Sequence, residues 1–322
     1  MVQATWAGER NVNVVSKKEQ DKTYSSVLIF IGQTTVKNIT ELIAEAYNIA
    51  PEYKKERPPF PKRAKIEITN RCDHKCYHCQ NTYYSGKYQD IDKDLLFRII
   101  KELKELHVEQ LGLFWMGEPL LVKELPEYIA FSKEVGISYV FITTNGRLAT
   151  PDRMEKLFES GLDSVKFSIS ADCRENYINI CGVDAFDQVI SNLKETKRLR
   201  GNNDAPKIYA SSVFDPNNEG HYNRIHDLIL PYVDQHYPLR LYGKRKIVKQ
   251  NNEYQVVDLP VEESRSLESM LPCWPLFTEP HINCDGYMSA CFCDLDEKFI
   301  MGDLRKMSLM EAWHSDKYVA LR

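Results

Sequence analysis

Lys65-Ile66-Glu67-Ile68-Thr69-Asn70-Arg71-Cys72-Asp73-His74-Lys75-Cys76-Tyr77-His78-Cys79 is the stretch from which both the fold and the chemistry of this chain can be read. Its first five residues form a short apolar strand pattern, and that strand runs into a loop with three thiols. The spacing C-x-x-x-C-x-x-C is too tight for three long-range disulfides, and it lets three thiolates converge on one centre from a single loop. Two kinds of centre suit that donor set. A [4Fe-4S] cube held by three thiolates keeps one iron open for the amino and carboxylate groups of a small molecule. A structural zinc ion would instead take Cys72, Cys76 and Cys79 with His74 or His78 as fourth ligand.

Outward from that loop, the bulk properties narrow the class. A chain of 322 residues fits a barrel of roughly 200 to 250 residues with appendages. An apolar fraction of 43% supplies a full core, and a net charge of -4 argues against nucleic acid or an anionic membrane as the main partner. No apolar run reaches the length of a membrane span, and Met1-Val2-Gln3-Ala4-Thr5-Trp6 does not read as a secretory signal, so the expected location is the cytoplasm. The nine cysteines fall into two groups, Cys72 to Cys79 and Cys273 to Cys293, with Cys173 and Cys181 between. Clusters of this kind suit two metal centres better than a disulfide framework.

Hydrophobic periodicity predicts three regions. Residues 1–63 read as an N-terminal accessory segment: a polar start, a strand over 25–32, a helix over 36–49 with Ile39, Leu42, Ile43, Ala46 and Tyr47 on one face, and a proline-rich linker. Residues 64–242 alternate strand and helix. Strands are expected at 65–69, 108–114, 139–143, 164–170, 207–213 and 239–242, with Asp92, Pro126 and Pro151 opening helices between them and a further helix over 186–200 with Val189, Ile190 and Leu193 inward. Such repeats imply an α/β fold with right-handed crossovers, and six of them make a partial (β/α)6 TIM-like barrel. Residues 243–322 read as a polar linker or lid followed by a C-terminal extension of β-hairpin plus helix. Asp285-Gly286 marks the hairpin turn, and a single closing helix is expected over 308–322.

Sites in such folds lie just after the strands. There the sequence places Trp115-Met116-Gly117-Glu118-Pro119, Thr143-Thr144-Asn145-Gly146 and Ser168-Ile169-Ser170-Ala171-Asp172. Gly117 would let backbone approach a ligand, and Glu118 offers an acceptor to a cationic amine. With the cysteine loop, these segments resemble the radical S-adenosylmethionine (radical SAM) superfamily. In that family the open iron of the [4Fe-4S] cluster binds SAM, and an electron from the cluster cleaves it to methionine and a 5′-deoxyadenosyl radical. Gly117, Glu118 and Pro119 match the family's GGEP motif, Met116 standing for its first glycine. Asn145 matches its T-N-G turn, and Ser168, Ser170 and Asp172 match the stretch that contacts the SAM ribose. Val213 with Asn217, Asn218 and Glu219 is similar to the element beside the adenine, and His78 would lie near that ring. After Tyr177 the family often has an arginine where Cys181 stands, so no partner for the SAM carboxylate is assigned. Cys173 and Cys181 are expected to be small buried residues.

The tail resembles the SPASM or twitch extension of the same superfamily, which holds an auxiliary iron-sulfur cluster. From Cys273 to Arg322 it is similar to the tail of the aminocyclitol dehydrogenase of butirosin biosynthesis. There, cysteines at the Cys273 and Cys291 positions are joined by a later C-x-x-C pair that this sequence does not contain. Cys284 or Cys293 would then complete the second site, or the site would stay incomplete. The resemblance implies an enzyme with SAM, an auxiliary cluster and a reductant such as flavodoxin or ferredoxin. It points first to oxidation of a sugar or aminocyclitol alcohol, with modification of a ribosomal peptide as the alternative. A non-catalytic iron-sulfur or zinc binding protein is the alternative of another class.

Overall fold

The computed structural model describes residues 38–214, 219–240, 245–250, 253–258, 273–292, 294 and 297–322. The strand expected at 25–32, and Asn217, Asn218 and Cys293, lie outside the described residues. Six strands, β1 (Arg63–Ile66), β2 (Gln110–Gly112), β3 (Tyr139–Thr144), β4 (Ser164–Ser168), β5 (Lys207–Phe214) and β6 (Gln235–Arg240), pair in parallel in chain order. A partial (β/α)6 barrel is therefore built as the periodicity implies. β1, β3 and β4 alternate: Ala64, Ile66, Val140, Ile142, Val165 and Phe167 are fully buried beneath the outer helices. Arg63, Lys65, Phe141, Thr143, Lys166 and Ser168 point the other way, into the barrel.

The outer helices follow their capping signals. Asp92 Oδ1 accepts from Leu95 N at 2.8 Å and opens the helix Lys93–Glu105, whose Leu96, Ile99, Ile100 and Leu103 are buried. The helix Phe186–Arg200 coincides with its expected span. A helix at Arg174–Cys181 was not foreseen; Cys173 forms its N-cap and is exposed, against expectation, whereas Cys181 is buried. β6 begins at Gln235 rather than 239, and Pro238 sits inside it. That is tolerated because, among the described residues, β6 ends the sheet and pairs only with β5.

Within the stretch read as a polar linker or lid, two described segments are strands. β7 (Arg245–Gln250) and β8 (Glu253–Asp258) form an antiparallel pair of their own. The C-terminal strands β9 (His281–Ile282), β10 (Tyr287–Ser289) and β11 (Ile300–Asp303) join the barrel sheet, β9 pairing parallel to β1. β9 and β10 are the predicted hairpin, with Gly286 at φ +83° in its turn. The expected closing helix is two, Leu309–Trp313 and Asp316–Leu321, because Ser315 caps the second on Tyr318 N and starts it afresh.

The helix Ile39–Tyr47 crosses the lower, N-terminal ends of the barrel strands. Arg63, first residue of β1, donates to Leu42 O at 3.2 Å, and Gln235, first residue of β6, donates to Thr40 Oγ1 at 2.8 Å. Tyr47 packs on Trp274 with ring centroids 4.8 Å apart. Asn38 caps this helix in a capping box with Glu41. Asn38→Ala is expected to cost about 1 kcal/mol of local stability, read as faster amide exchange across residues 39–47.

Candidate functional site

The loop that follows β1 is held by backbone bonds to three neighbours. Lys75 N and Tyr77 N donate to Cys181 O and Ile180 O, both at 3.0 Å, and Glu118 N donates to Arg71 O at 2.8 Å. Asn81 Nδ2 spans Asn70 O at 2.8 Å and Met116 O at 2.9 Å. The thiols of Cys72, Cys76 and Cys79 stand near enough that the charge of Cys76 acts on both of the others. Burial pushes Cys72 up to about 12 and Cys79 up to about 11. Cys76 is also raised, first by the neighbouring Cys181 thiol and then by burial. Sulfurs so placed are thiolates only when a metal supplies the compensating charge.

Among the described residues no three His, Cys, Asp or Glu side chains close on one metal ion. The thiolates of a cube each bind a different iron, so they stand further apart than the ligands of a single ion. His74, the first candidate for a zinc ligand, is committed elsewhere. Its Nδ1 lies 3.0 Å from Asp73 Oδ1 and its Nε2 2.8 Å from the Tyr177 hydroxyl. That removes His74 as a fourth zinc ligand, and three thiols offered from one loop fit a cube that takes three thiolates.

The motif turns meet above this loop. A Cβ at Gly117 would lie 2.1 Å from Thr69 O and 2.7 Å from Arg71 O. The close approach that requires glycine is thus to the cysteine loop's own backbone rather than to a ligand. Gly117→Ala is expected to destabilise the protein by about 3 kcal/mol and to lower iron incorporation in parallel, because carbonyl oxygens cannot rotate away as side chains can. Glu118 is buried, and burial pushes its carboxyl up to about 7 although three donors engage it. These are Asn145 N at 2.7 Å, Thr144 Oγ1 at 2.7 Å and Leu120 N at 3.0 Å. Asn145 Nδ2 donates in turn to Asp73 Oδ1 at 2.7 Å. Glu118 and Asn145 thereby fasten the Pro119 turn and the Thr144-Asn145-Gly146 turn to the cysteine loop.

A cavity of about 420 Å³ runs down the barrel from these strand ends. His78, Cys79, Ser168 and Ser170 line its upper part, and Arg63 and the Ile39–Tyr47 helix line its base. Burial pushes His78 down to about 4, so the ring is neutral, and its buried Nδ1 has no hydrogen-bond partner. Ser170 Oγ accepts from Val213 N at 3.1 Å. Asp172 is not gathered with them: its carboxylate is held by Arg224 Nε at 2.5 Å and Asn176 Nδ2 at 2.6 Å. In the tail, the thiols of Cys273 and Cys291 are close enough to interact. Cys284 lies elsewhere, buried against Glu67, whose carboxylate accepts from Cys284 N at 3.3 Å and Met116 N at 3.1 Å.

Sequence reasoning missed Glu67, which ties β1, the Met116 loop and the tail together, and it missed Lys166 and Glu279. The available signal was charge at inward positions of buried parallel strands, as in Ser164-Val165-Lys166-Phe167-Ser168, where a solvated lysine has no place.

Residues 66–229 match the family model of the radical SAM superfamily, and residues 273–322 match an iron-sulfur cluster-binding domain, SPASM. The chain belongs to the radical SAM superfamily. It is therefore an enzyme with a [4Fe-4S] cluster that takes SAM, and its SPASM region implies auxiliary iron-sulfur ligation. Among curated proteins it is similar to a probable GTP 3′,8-cyclase of Saccharolobus islandicus, 34% identical over 130 residues, 40% of this chain and 42% of that one. A counterpart in Metallosphaera sedula is 30% identical over 137 residues, 41% of this chain and 42% of that one. The chain thus spans less than half the length of these relatives. Among solved structures, Streptococcus suis SuiB bound to the precursor peptide SuiA superposes with a TM-score of 0.65 at 16% identity, covering 94% of this chain and 78% of that one. BtrN in complex with AdoMet and 2-DOIA gives 0.50 at 16% identity, covering 82% and 86%. These likenesses establish the radical SAM fold. Among the described residues no helix is long and apolar enough to cross a membrane.

Proposed function

We propose that this radical SAM enzyme removes a hydrogen atom from a small molecule held inside the barrel, oxidising an alcohol of the sugar or aminocyclitol kind. The supporting observation is the continuous cavity that runs from Cys79 and His78 at the strand ends to a base bounded by the Ile39–Tyr47 helix and Trp274. A space bounded below in this way suits a compact substrate better than a ribosomal peptide, the rival within the same chemistry. When bound, the cluster and SAM supply a 5′-deoxyadenosyl radical as the hydrogen-abstracting species.

The chain's own residues bind and orient. In this reading Cys72, Cys76 and Cys79 hold the cluster, and the neutral His78 ring faces the adenine. Ser168 and Ser170 offer hydroxyls to the ribose, with Asp172 behind them fixed by Arg224 and Asn176. Gly117, Glu118, Pro119 and Asn145 shape the turn that receives the amino group. Cys273 and Cys291 hold the auxiliary cluster, with Cys293 close after Cys291 in sequence, and Cys284 is a packing residue. A one-electron donor such as flavodoxin or ferredoxin completes the system.

The test is anaerobic reconstitution with iron and sulfide, followed by dithionite reduction with SAM and measurement of 5′-deoxyadenosine. Protein that takes up iron yet never cleaves SAM would show a non-catalytic binding module instead. Growth of 5′-deoxyadenosine only on addition of a precursor peptide would overturn the small-molecule substrate.

A further inference from the structure

We infer that the substrate carries an acidic group, a carboxylate or a phosphate, and that Lys166 in the barrel is the residue that binds it. This rests on the cavity described above being the substrate site, and it names the substrate class. Among the described residues lining that cavity, Arg63, Lys65 and Lys166 face a single carboxylate, Glu279. Glu279 is already committed, 2.6 Å from Lys65 Nζ and 3.4 Å from Arg63 Nε. Lys166 is left over. It stands two residues before Ser168 on β4, roughly 7 Å further down the barrel. Its Nζ donates to the Tyr237 hydroxyl at 3.2 Å and lies 6.0 Å from the Phe114 ring centre and 5.7 Å from that of Tyr237. Among the described residues no carboxylate comes within ion-pairing distance of it.

One phenol and two ring faces cannot replace the hydration of an ammonium group. Burial accordingly pushes Lys166 down to about 8, which still leaves it mostly charged at neutral pH. An occupant that brings a negative charge would remove this imbalance. Beside Lys166 in the sheet register is Thr143, and opposite Ser168 is Ser211. Their hydroxyl oxygens are buried, line the same cavity and have no hydrogen-bond partner, so they can complete the shell of an oxyanion.

The test uses cluster-reconstituted, SAM-loaded enzyme titrated calorimetrically with glucuronate, glucose 6-phosphate and glucose. At least one acidic probe should bind about tenfold or more tighter than glucose, and the two acids show which group the site prefers. Lys166→Met should reduce that preference to nothing and Lys166→Arg should restore part of it, with SAM affinity unchanged. In the unmodified enzyme the preference should fade as pH rises past about 8. The groups facing Lys166 are Arg63, Lys65, Glu279 and Tyr237; Glu279 is held ionised by its cations, and burial pushes Lys65 down as well, so loss of the Lys65 proton would act in the same direction. Acid probes binding no tighter than glucose, a preference that survives Lys166→Met, or a loss confined to SAM affinity would each overturn the proposal. 5′-Deoxyadenosine measured on the same preparation judges the chemistry separately. SAM cleavage without acid preference sinks only the anion site, and acid preference without SAM cleavage sinks only the hydrogen abstraction.

Discussion

Glu279→Gln should destabilise the folded protein by about 3–5 kcal/mol, measured as the shift in the urea unfolding midpoint at neutral pH. Glu279 enters the barrel from the C-terminal extension, is 1% exposed, and lies against Lys65, Arg63 and, at 3.2 Å, His281 Nε2. Burial opposes its ionisation, and Lys65, His281 and Arg63 together override that, holding the carboxyl far below its ordinary value. Its partner responds differently: burial pushes Lys65 down despite Glu279. The asymmetry has a physical cause, since one carboxylate is shared among several cations and each cation receives only part of its compensation. Removing the carboxylate therefore leaves two buried cations uncompensated. The double variant Lys65→Met with Glu279→Gln should recover part of the loss, because it removes a charge rather than orphaning it. The pH dependence follows from the direction of the shift. Glu279 is depressed in the folded state, so its contribution is complete above the ordinary value of 4.5 and is lost as pH falls below it. Glu279→Gln should accordingly flatten the acid limb of the stability profile; an unchanged limb would mean that the ion cluster contributes nothing.

Alanine at Cys72, Cys76 or Cys79 should abolish the cluster, with iron content falling and SAM cleavage dropping on the order of 100-fold or more. Each thiolate would hold a different iron, so no partner can substitute for the lost one. Cys181→Ala supplies the contrast. Cys181 is 4% exposed and touches Cys76, and its backbone oxygen receives Lys75 N. The backbone bond survives the substitution, so the variant should lose about 1 kcal/mol from packing and keep its iron. Equal loss of iron in Cys181→Ala and Cys76→Ala would make Cys181 a ligand and overturn the assignment.

The order of elements was legible because parallel strands buried on one face and helices covering them leave separate periodicities in the chain. The helix Phe186–Arg200 and the hairpin around Gly286 could be read directly from apolar spacing and turn chemistry. β6 was displaced in that reading because Pro238 obscures a strand whose edge position makes proline harmless. The helix Arg174–Cys181 was missed because its buried residues are Tyr177, Ile180 and Cys181, too few for an apolar stripe. β7 and β8 are hard to read from the chain because charged and amide residues surround their short apolar pairs, Ile247-Val248 and Val256-Val257.

By itself the sequence determined the three-thiol loop, the succession of strand and helix, and the glycine and turn residues at the strand ends, since each is a local property of a few neighbouring residues. Only the tertiary structure decided what those residues touch. It turned Gly117 toward the cysteine loop, gave Glu118 and Asn145 the task of fastening adjacent turns, and drew Asp172 away toward Arg224. It also placed Glu279 beside Lys65 and Arg63 while leaving Lys166, among the described residues, beyond ion-pairing distance of any carboxylate. Residues more than two hundred positions apart meet there because the C-terminal extension lays β9 against β1, and charge balance inside a barrel depends on that contact rather than on spacing along the chain.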